Sequence, residues 1–138
     1  MALKAPNTKV LAVMLIDDNE IDNFINKRMI EGCFFAKHIY VHTSGKSALE
    51  FLKNLESMGN GGRSAFPKII FLDINMPIMD GYQFITEFEK LPKELIRDSR
   101  IVLLTTSLNP DDIEKSKKIS SVSKFINKPL TPKILESL

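Results

Sequence analysis

At 138 residues the chain has the length of one domain, enough to bury a core of its own. A hydrophobic fraction of 43% and a charged fraction of 26% are ordinary for a globular chain, and a formal net charge of +2 is too small to argue for nucleic acid or an acidic membrane surface. The longest apolar run, Val10–Ile16, is far short of a membrane span, and no secretory leader pattern is present.

Residues 1–9 read as a loose leader to a single domain over 10–138. Val10–Ile16 reads as a strand buried on both faces, and it stops abruptly at Asp17-Asp18-Asn19. Ile21, Phe24, Ile25, Met29 and Ile30 then recur at helical spacing up to Gly32, which predicts an apolar face on the first helix. Cys33, the single cysteine, excludes an intramolecular disulfide; beside Phe34 and Phe35 it reads as a small core residue, and a reducing, cytoplasmic setting is expected. His38–Val41 is a short second strand. Ser44-Gly45 opens a helix whose apolar face is Ala48, Leu49, Leu52 and Leu55, and Gly59–Ser64 reads as a glycine-rich loop.

Lys68–Asp73 is a third strand, again ending on a carboxylate, with Pro77 and Asp80-Gly81 marking the turn after it. A third helix follows, with Phe84, Ile85, Phe88 and Leu91 on one face. After a fourth strand, Ile101–Thr105, the run Asn109-Pro110-Asp111-Asp112 combines a cap, a first-turn proline and acids at the positive end of the helix dipole. That helix carries few apolar residues, Ile113 and Ile119, so loose packing is expected. Ser121–Ile126 is a fifth strand, and Thr131-Pro132 caps a last helix of about two turns, short enough to read as truncated. Strand–helix alternation of this kind predicts a parallel sheet covered by helices.

The positions of the polar residues carry the functional signal. Asp17 and Asp18, Asp73, Thr105 and Lys128 stand at or just past the carboxyl ends of strands, and in an open parallel sheet those ends share the edge where ligands bind. Taken singly, each is ordinary: an aspartate pair caps helices, an aspartate before a Pro/Gly turn is turn chemistry, and a lysine before proline is a solvated surface residue. Together they describe a carboxylate pocket. Carboxylates held close repel by roughly 1–4 kcal/mol per pair, so one protonates or a cation enters. Oxygen donors without histidine or cysteine favour Mg²⁺ or Mn²⁺. A lysine and a threonine hydroxyl add the donors a phosphoryl group needs, and a carboxylate can accept that group as a mixed anhydride.

Leu15-Ile-Asp-Asp18, the segment Phe71-Leu-Asp-Ile-Asn-Met-Pro-Ile-Met-Asp-Gly81, Leu104-Thr105 and Phe125-Ile-Asn-Lys-Pro129 together resemble the receiver domain of two-component response regulators, over nearly all of the chain. The resemblance implies a flavodoxin-like, doubly wound α/β fold with a five-stranded parallel sheet in the order 2-1-3-4-5. By position it implies Asp73 as phospho-acceptor; Asp17, Asp18, Asp73 and the Asn75 backbone carbonyl as ligands of Mg²⁺ (or Mn²⁺); and Thr105 and Lys128 as phosphoryl contacts. It further implies Phe125 as an aromatic switch and a cis bond before Pro129. Partners implied are a sensor histidine kinase or histidine phosphotransfer protein and a downstream protein, with neither nucleic acid nor membrane, and a state that is monomeric or dimerises on phosphorylation. Such a domain is no enzyme beyond self-catalysed gain and loss of its phosphoryl group.

Two features depart from the family pattern. Thr106 stands where a small residue is usual, so it is expected to modulate the lifetime of the phosphorylated state. No output module follows Leu138, which implies action through a docked protein or membership of a longer chain. The alternatives are a non-phosphorylated pseudo-receiver scaffold and a haloacid-dehalogenase-like phosphatase; in the latter the nucleophile ends the first strand, whereas here the acidic pair comes first. A flavodoxin-like cofactor binder is disfavoured because the acidic edge repels a flavin phosphate.

Overall fold

The structure, a computed structural model, describes residues 7–106 and 109–138. The strands β1 (Val10–Ile16), β2 (Ala36–His42), β3 (Ile69–Leu72), β4 (Arg100–Thr105) and β5 (Val122–Asn127) form one sheet in the order β2-β1-β3-β4-β5. Every neighbouring pair is parallel. The helices are α1 (Glu20–Gly32), α2 (Gly45–Ser57), α3 (Asn60–Ala65), α4 (Gly81–Phe88), α5 (Lys93–Ile96), α6 (Pro110–Lys117) and α7 (Pro132–Glu136). Fold class and strand order are therefore as expected. Among the described residues no helix is long and apolar enough to cross a membrane.

Successive side chains of a strand point to opposite faces, so the central strands divide their apolar residues between two cores. Met14, Ile16, Ile70, Leu72, Ile101 and Leu103 pack with Leu49 and Leu52 of α2 and Phe84 and Phe88 of α4. Val13, Leu15, Ile69, Phe71, Val102 and Leu104 pack on the other face with Ile30 of α1 and Leu135 of α7. This is why β1, β3 and β4 read as unbroken apolar runs rather than alternating ones.

Three expectations need correction. On α1 the buried residues are Asn23, Asn26 and Ile30, whereas Ile21 (69% exposed), Phe24 (63%) and Ile25 (42%) face outward. The asparagines are buried because their amides have partners: Asn23 Nδ2 donates to Asp17 O and His42 O, and Asn26 Oδ1 accepts from Leu130 N. Second, Gly59–Ser64 is no loop; most of it forms α3. A Cβ on Gly62 would lie 1.7 Å from Leu55 O, so glycine there lets α3 press against the end of α2. Third, a short helix, α5, follows Pro92, and Leu91 is buried beyond the end of α4 rather than on it.

Of the expected leader, residues 1–6 lie outside the described residues, and Lys9 Nζ donates to Glu136 O at 2.9 Å. As anticipated, α6 is sparsely anchored: Ser116 is its buried residue, while Ile113 is half-buried.

Candidate functional site: a carboxylate pocket at the sheet edge

Strand register brings the polar residues together. Ile16 pairs with Leu72, and Asp73 N donates to Ile16 O at 3.0 Å, which sets Asp17 and Asp73 side by side past the ends of β1 and β3. Leu72 pairs with Leu103 and Thr105 with Asn127, which carries Thr105 and Lys128 to the same edge; Lys128 N donates to Thr105 O at 3.0 Å. The Lys128–Pro129 bond is cis, as the resemblance implies.

The loops are fixed locally. Asn19 caps α1 through its side chain, accepting from Ile21 N and Asp22 N, while Asp17 Oδ1 accepts from Asn19 N at 3.0 Å. After β3, Asp80 and Gln83 form a capping box at the start of α4, and Gly81 N donates to Ile74 O. A Cβ on Gly81 would come within 2.8 Å of Asp73 O, so this turn closes only with glycine. Between them Ile78 is fully exposed at φ 71°, a left-handed conformation that costs a β-branched residue on the order of 1 kcal/mol.

Asp17, Asp18 and Asp73 each offer a carboxylate oxygen within 4.8 Å of the others; Asp17 and Asp73 are buried and Asp18 is exposed. The Lys128 ammonium lies 2.5 Å from Asp17 Oδ2, 3.0 Å from Asp22 Oδ2 and 3.5 Å from Asp73 Oδ1. Burial first, then the Asp17 carboxylate, push the Asp73 carboxyl up to about 6; Asp18 adds to this and Lys128 opposes it. Burial works against the Lys128 charge, but hydrogen bonds to Asp17 and Asp22 and the charges of Asp73 and Asp17 reverse this and raise its pKa above the ordinary lysine value.

Among the described residues this is the one His/Cys/Asp/Glu group whose ligand atoms converge closely enough for a metal ion. Its all-oxygen donor set suits a hard divalent cation, and a cation would relieve the repulsion that raises Asp73.

The remaining predicted residues lie in the loop after β3, at or just past the end of β4, and on β5. Asn75 is exposed in the loop after β3, Thr105 is buried (1% exposed), and Thr106 is exposed beside it. Phe125 is half-buried and lines a cleft of about 410 Å³ with Ile113, Ser116 and Val122, between α6 and β5.

Sequence reasoning missed Asp22, Asn23, Asn26 and Tyr82. Asp22 lies in the first turn of α1, where an acidic residue needs no explanation beyond the helix dipole. Asn23, Asn26 and Ile30 stand at steps of three and four, the spacing of one helical face, but a search for apolar residues at that spacing passes over the two asparagines. Tyr82 Oη donates to Asp112 Oδ1 at 3.0 Å, and Lys115 Nζ lies 3.9 Å from the Tyr82 ring centroid, so α4 is tied to α6.

Comparison with known proteins agrees with this geometry. The family described as "Response regulator receiver domain" matches residues 13–138. A two-component response regulator from Cytophaga hutchinsonii superposes with a TM-score of 0.83 at 33% identity, covering 95% of this chain and 94% of that one. The "Probable methanogenesis regulatory protein FilR2" of Methanothrix harundinacea is 28% identical over 86% of this chain and 72% of its own length. "Response regulator Rcp1" of Synechocystis sp. is 27% identical over 73% of this chain, which spans 65% of that relative's length. The chain belongs to the response regulator receiver domain family of two-component signalling.

Proposed function

We propose that the chain is a phosphorylation-controlled switch in which Asp73 accepts a phosphoryl group with the help of a bound Mg²⁺ or Mn²⁺. The carrying observation is the cluster of Asp17, Asp18 and Asp73 with the Lys128 ammonium 3.5 Å from the acceptor carboxylate. Asp17, Asp18, Asp73 and the Asn75 carbonyl would hold the cation. The cation supplies charge neutralisation to the incoming phosphoryl oxygens. Lys128 and Thr105 supply a point charge and a hydroxyl donor to the same oxygens. Phe125 and the α6–β5 cleft form the surface whose packing responds, and Thr106, beside Thr105, modulates how freely water reaches the phosphorylated carboxylate.

On this reading residues 10–138 act as one receiver unit in the cytoplasm. A histidine kinase or histidine phosphotransfer protein supplies the phosphoryl group and another protein reads it. The chain processes no external substrate beyond its own phosphorylation and dephosphorylation.

With acetyl phosphate as donor, an Asp73 carboxylate oxygen bonds to phosphorus, the bond from phosphorus to the acetyl oxygen breaks, and acetate leaves. Intact-mass spectrometry in Mg²⁺ is expected to show one added phosphoryl group, lost in Asp73→Asn and on chelation of the metal. A wild type that binds Mg²⁺ yet stays unmodified for hours would overturn the acceptor assignment in favour of a non-phosphorylated scaffold.

A further inference from the structure

Asp22 stands outside the set of residues assigned above, yet its Oδ2 lies 3.0 Å from Lys128 Nζ, nearer than Asp73 Oδ1 at 3.5 Å. The two residues are 106 positions apart, so the contact is made by the fold and not by local sequence. Both ends are braced by buried asparagines of α1. Asn26 Oδ1 accepts from Leu130 N at 2.9 Å, just past the lysine, and Asn23 Nδ2 donates to Asp17 O at 2.8 Å, just before the helix. The Lys128 side chain is 8% exposed, so its direction is set by these contacts and not by solvent.

An ammonium has three N–H donors, and here three carboxylates surround it: Asp17, Asp22 and Asp73. A cation bound among Asp17, Asp18 and Asp73 takes up the charge of two of them and repels the lysine. Asp22 lies outside that cluster, so its charge stays available to Lys128.

We propose that Asp22 is a positioning residue: it anchors the Lys128 ammonium from the α1 side, so that the lysine stays aimed at Asp73 when a cation and a phosphoryl group occupy the pocket. The proposal rests on the reading of Asp73 as acceptor. Misdirecting a charged contact by about 1 Å is enough to slow a positioned reaction severalfold to a hundredfold.

The experiment measures Asp73 phosphorylation by acetyl phosphate at saturating Mg²⁺ in wild type, Asp22→Ala, Asp22→Asn and Asp22→Glu. Each protein is also followed for Mg²⁺ affinity and for the ¹H–¹⁵N resonance of the Lys128 ammonium. The Ala and Asn variants are expected to phosphorylate about tenfold more slowly, with Mg²⁺ affinity within about twofold of wild type and a displaced Lys128 resonance. Asp22→Glu is expected to recover most of the rate. In a Lys128→Ala background, Asp22→Ala is expected to cost nothing further, since it acts through the lysine. Asp22 half-faces solvent in the first helical turn, so the isosteric Asn variant guards against a folding artefact.

Wild-type rates in both Asp22→Ala and Asp22→Asn overturn the proposal. So does a rate loss matched by an equal loss of Mg²⁺ affinity, which would place Asp22 in the electrostatics of the metal site. A wild type that takes up no phosphoryl group overturns the acceptor reading itself, and with it the positioning role; normal wild-type phosphorylation with indifferent Asp22 variants overturns only the latter.

Discussion

Without a cation, Asp73 is held between opposed influences: burial and the Asp17 carboxylate push its pKa to about 6, while Lys128 pulls it down. The folded value lies above the ordinary 3.8, so between about pH 4 and pH 6 the folded chain binds more proton than the unfolded one. This group's contribution is therefore fully present below about pH 4 and is lost as pH rises through 6. Asp73→Asn removes the titration. The metal-free variant is expected to gain stability over wild type progressively from pH 4 to 6 and then hold a constant advantage. That advantage is on the order of 1 kcal/mol. Urea denaturation of the two proteins across that range checks the sign; an advantage that shrinks with rising pH would contradict the assigned cause.

At the level of elements, the tie between α4 and α6 is the feature with the clearest consequence. Alpha6 buries little besides Ser116, so the Tyr82–Asp112 hydrogen bond and the Lys115–Tyr82 contact carry an unusual share of its attachment. Tyr82→Phe keeps the ring and removes the hydroxyl. Amide hydrogen exchange over residues 110–117 is expected to quicken by about fivefold, which corresponds to about 1 kcal/mol, while β1, β3 and β4 are unchanged. Exchange that rises throughout the sheet would mean instead that Tyr82 supports the whole fold. How far an element was legible in the sequence follows from what covers it. Beta1, β3 and β4 announce themselves because helices cover both faces of the sheet there, so their buried residues form continuous apolar runs, as in Ala12–Ile16, Ile69–Leu72 and Ile101–Leu104. Alpha1 misleads, because its buried face is polar and hydrogen-bonded to loop backbone, a partnership that depends on long-range folding. Alpha3 misleads because glycine propensity argues for a loop, whereas packing of Gly62 against Leu55 decides the outcome. In the site, Asp17, Asp18, Asp73, Thr105 and Lys128 were legible because each ends a strand. Asp22 was not, since only the placement of α1 beside the β5–α7 loop reveals it.

For the whole molecule, the sheet edge concentrates negative charge within a chain whose formal net charge is +2. That imbalance is local, so a cation placed among the carboxylates relieves it where distant positive charge does not, and binding there favours the folded state because unfolding disperses the three oxygens. A divalent cation at one hundred times its dissociation constant contributes about 2.7 kcal/mol by mass action alone, roughly a 10 °C rise in Tm for a domain of this size. The rise is expected in Mg²⁺ and Mn²⁺ at pH 7.5. It should shrink below pH 6, where the proton on Asp73 competes with the cation, and it should largely vanish in Asp73→Asn at any pH. Thermal melts of the two proteins with and without Mg²⁺, at pH 5 and pH 7.5, separate this from a general salt effect, since Na⁺ at matched ionic strength screens the same charges without bridging them. Equal stabilisation by Na⁺ would show that the pocket is merely screened and holds no cation. Stabilisation by Mg²⁺ that persists in Asp73→Asn would place the cation on Asp17 and Asp18 alone and leave Asp73 outside its coordination.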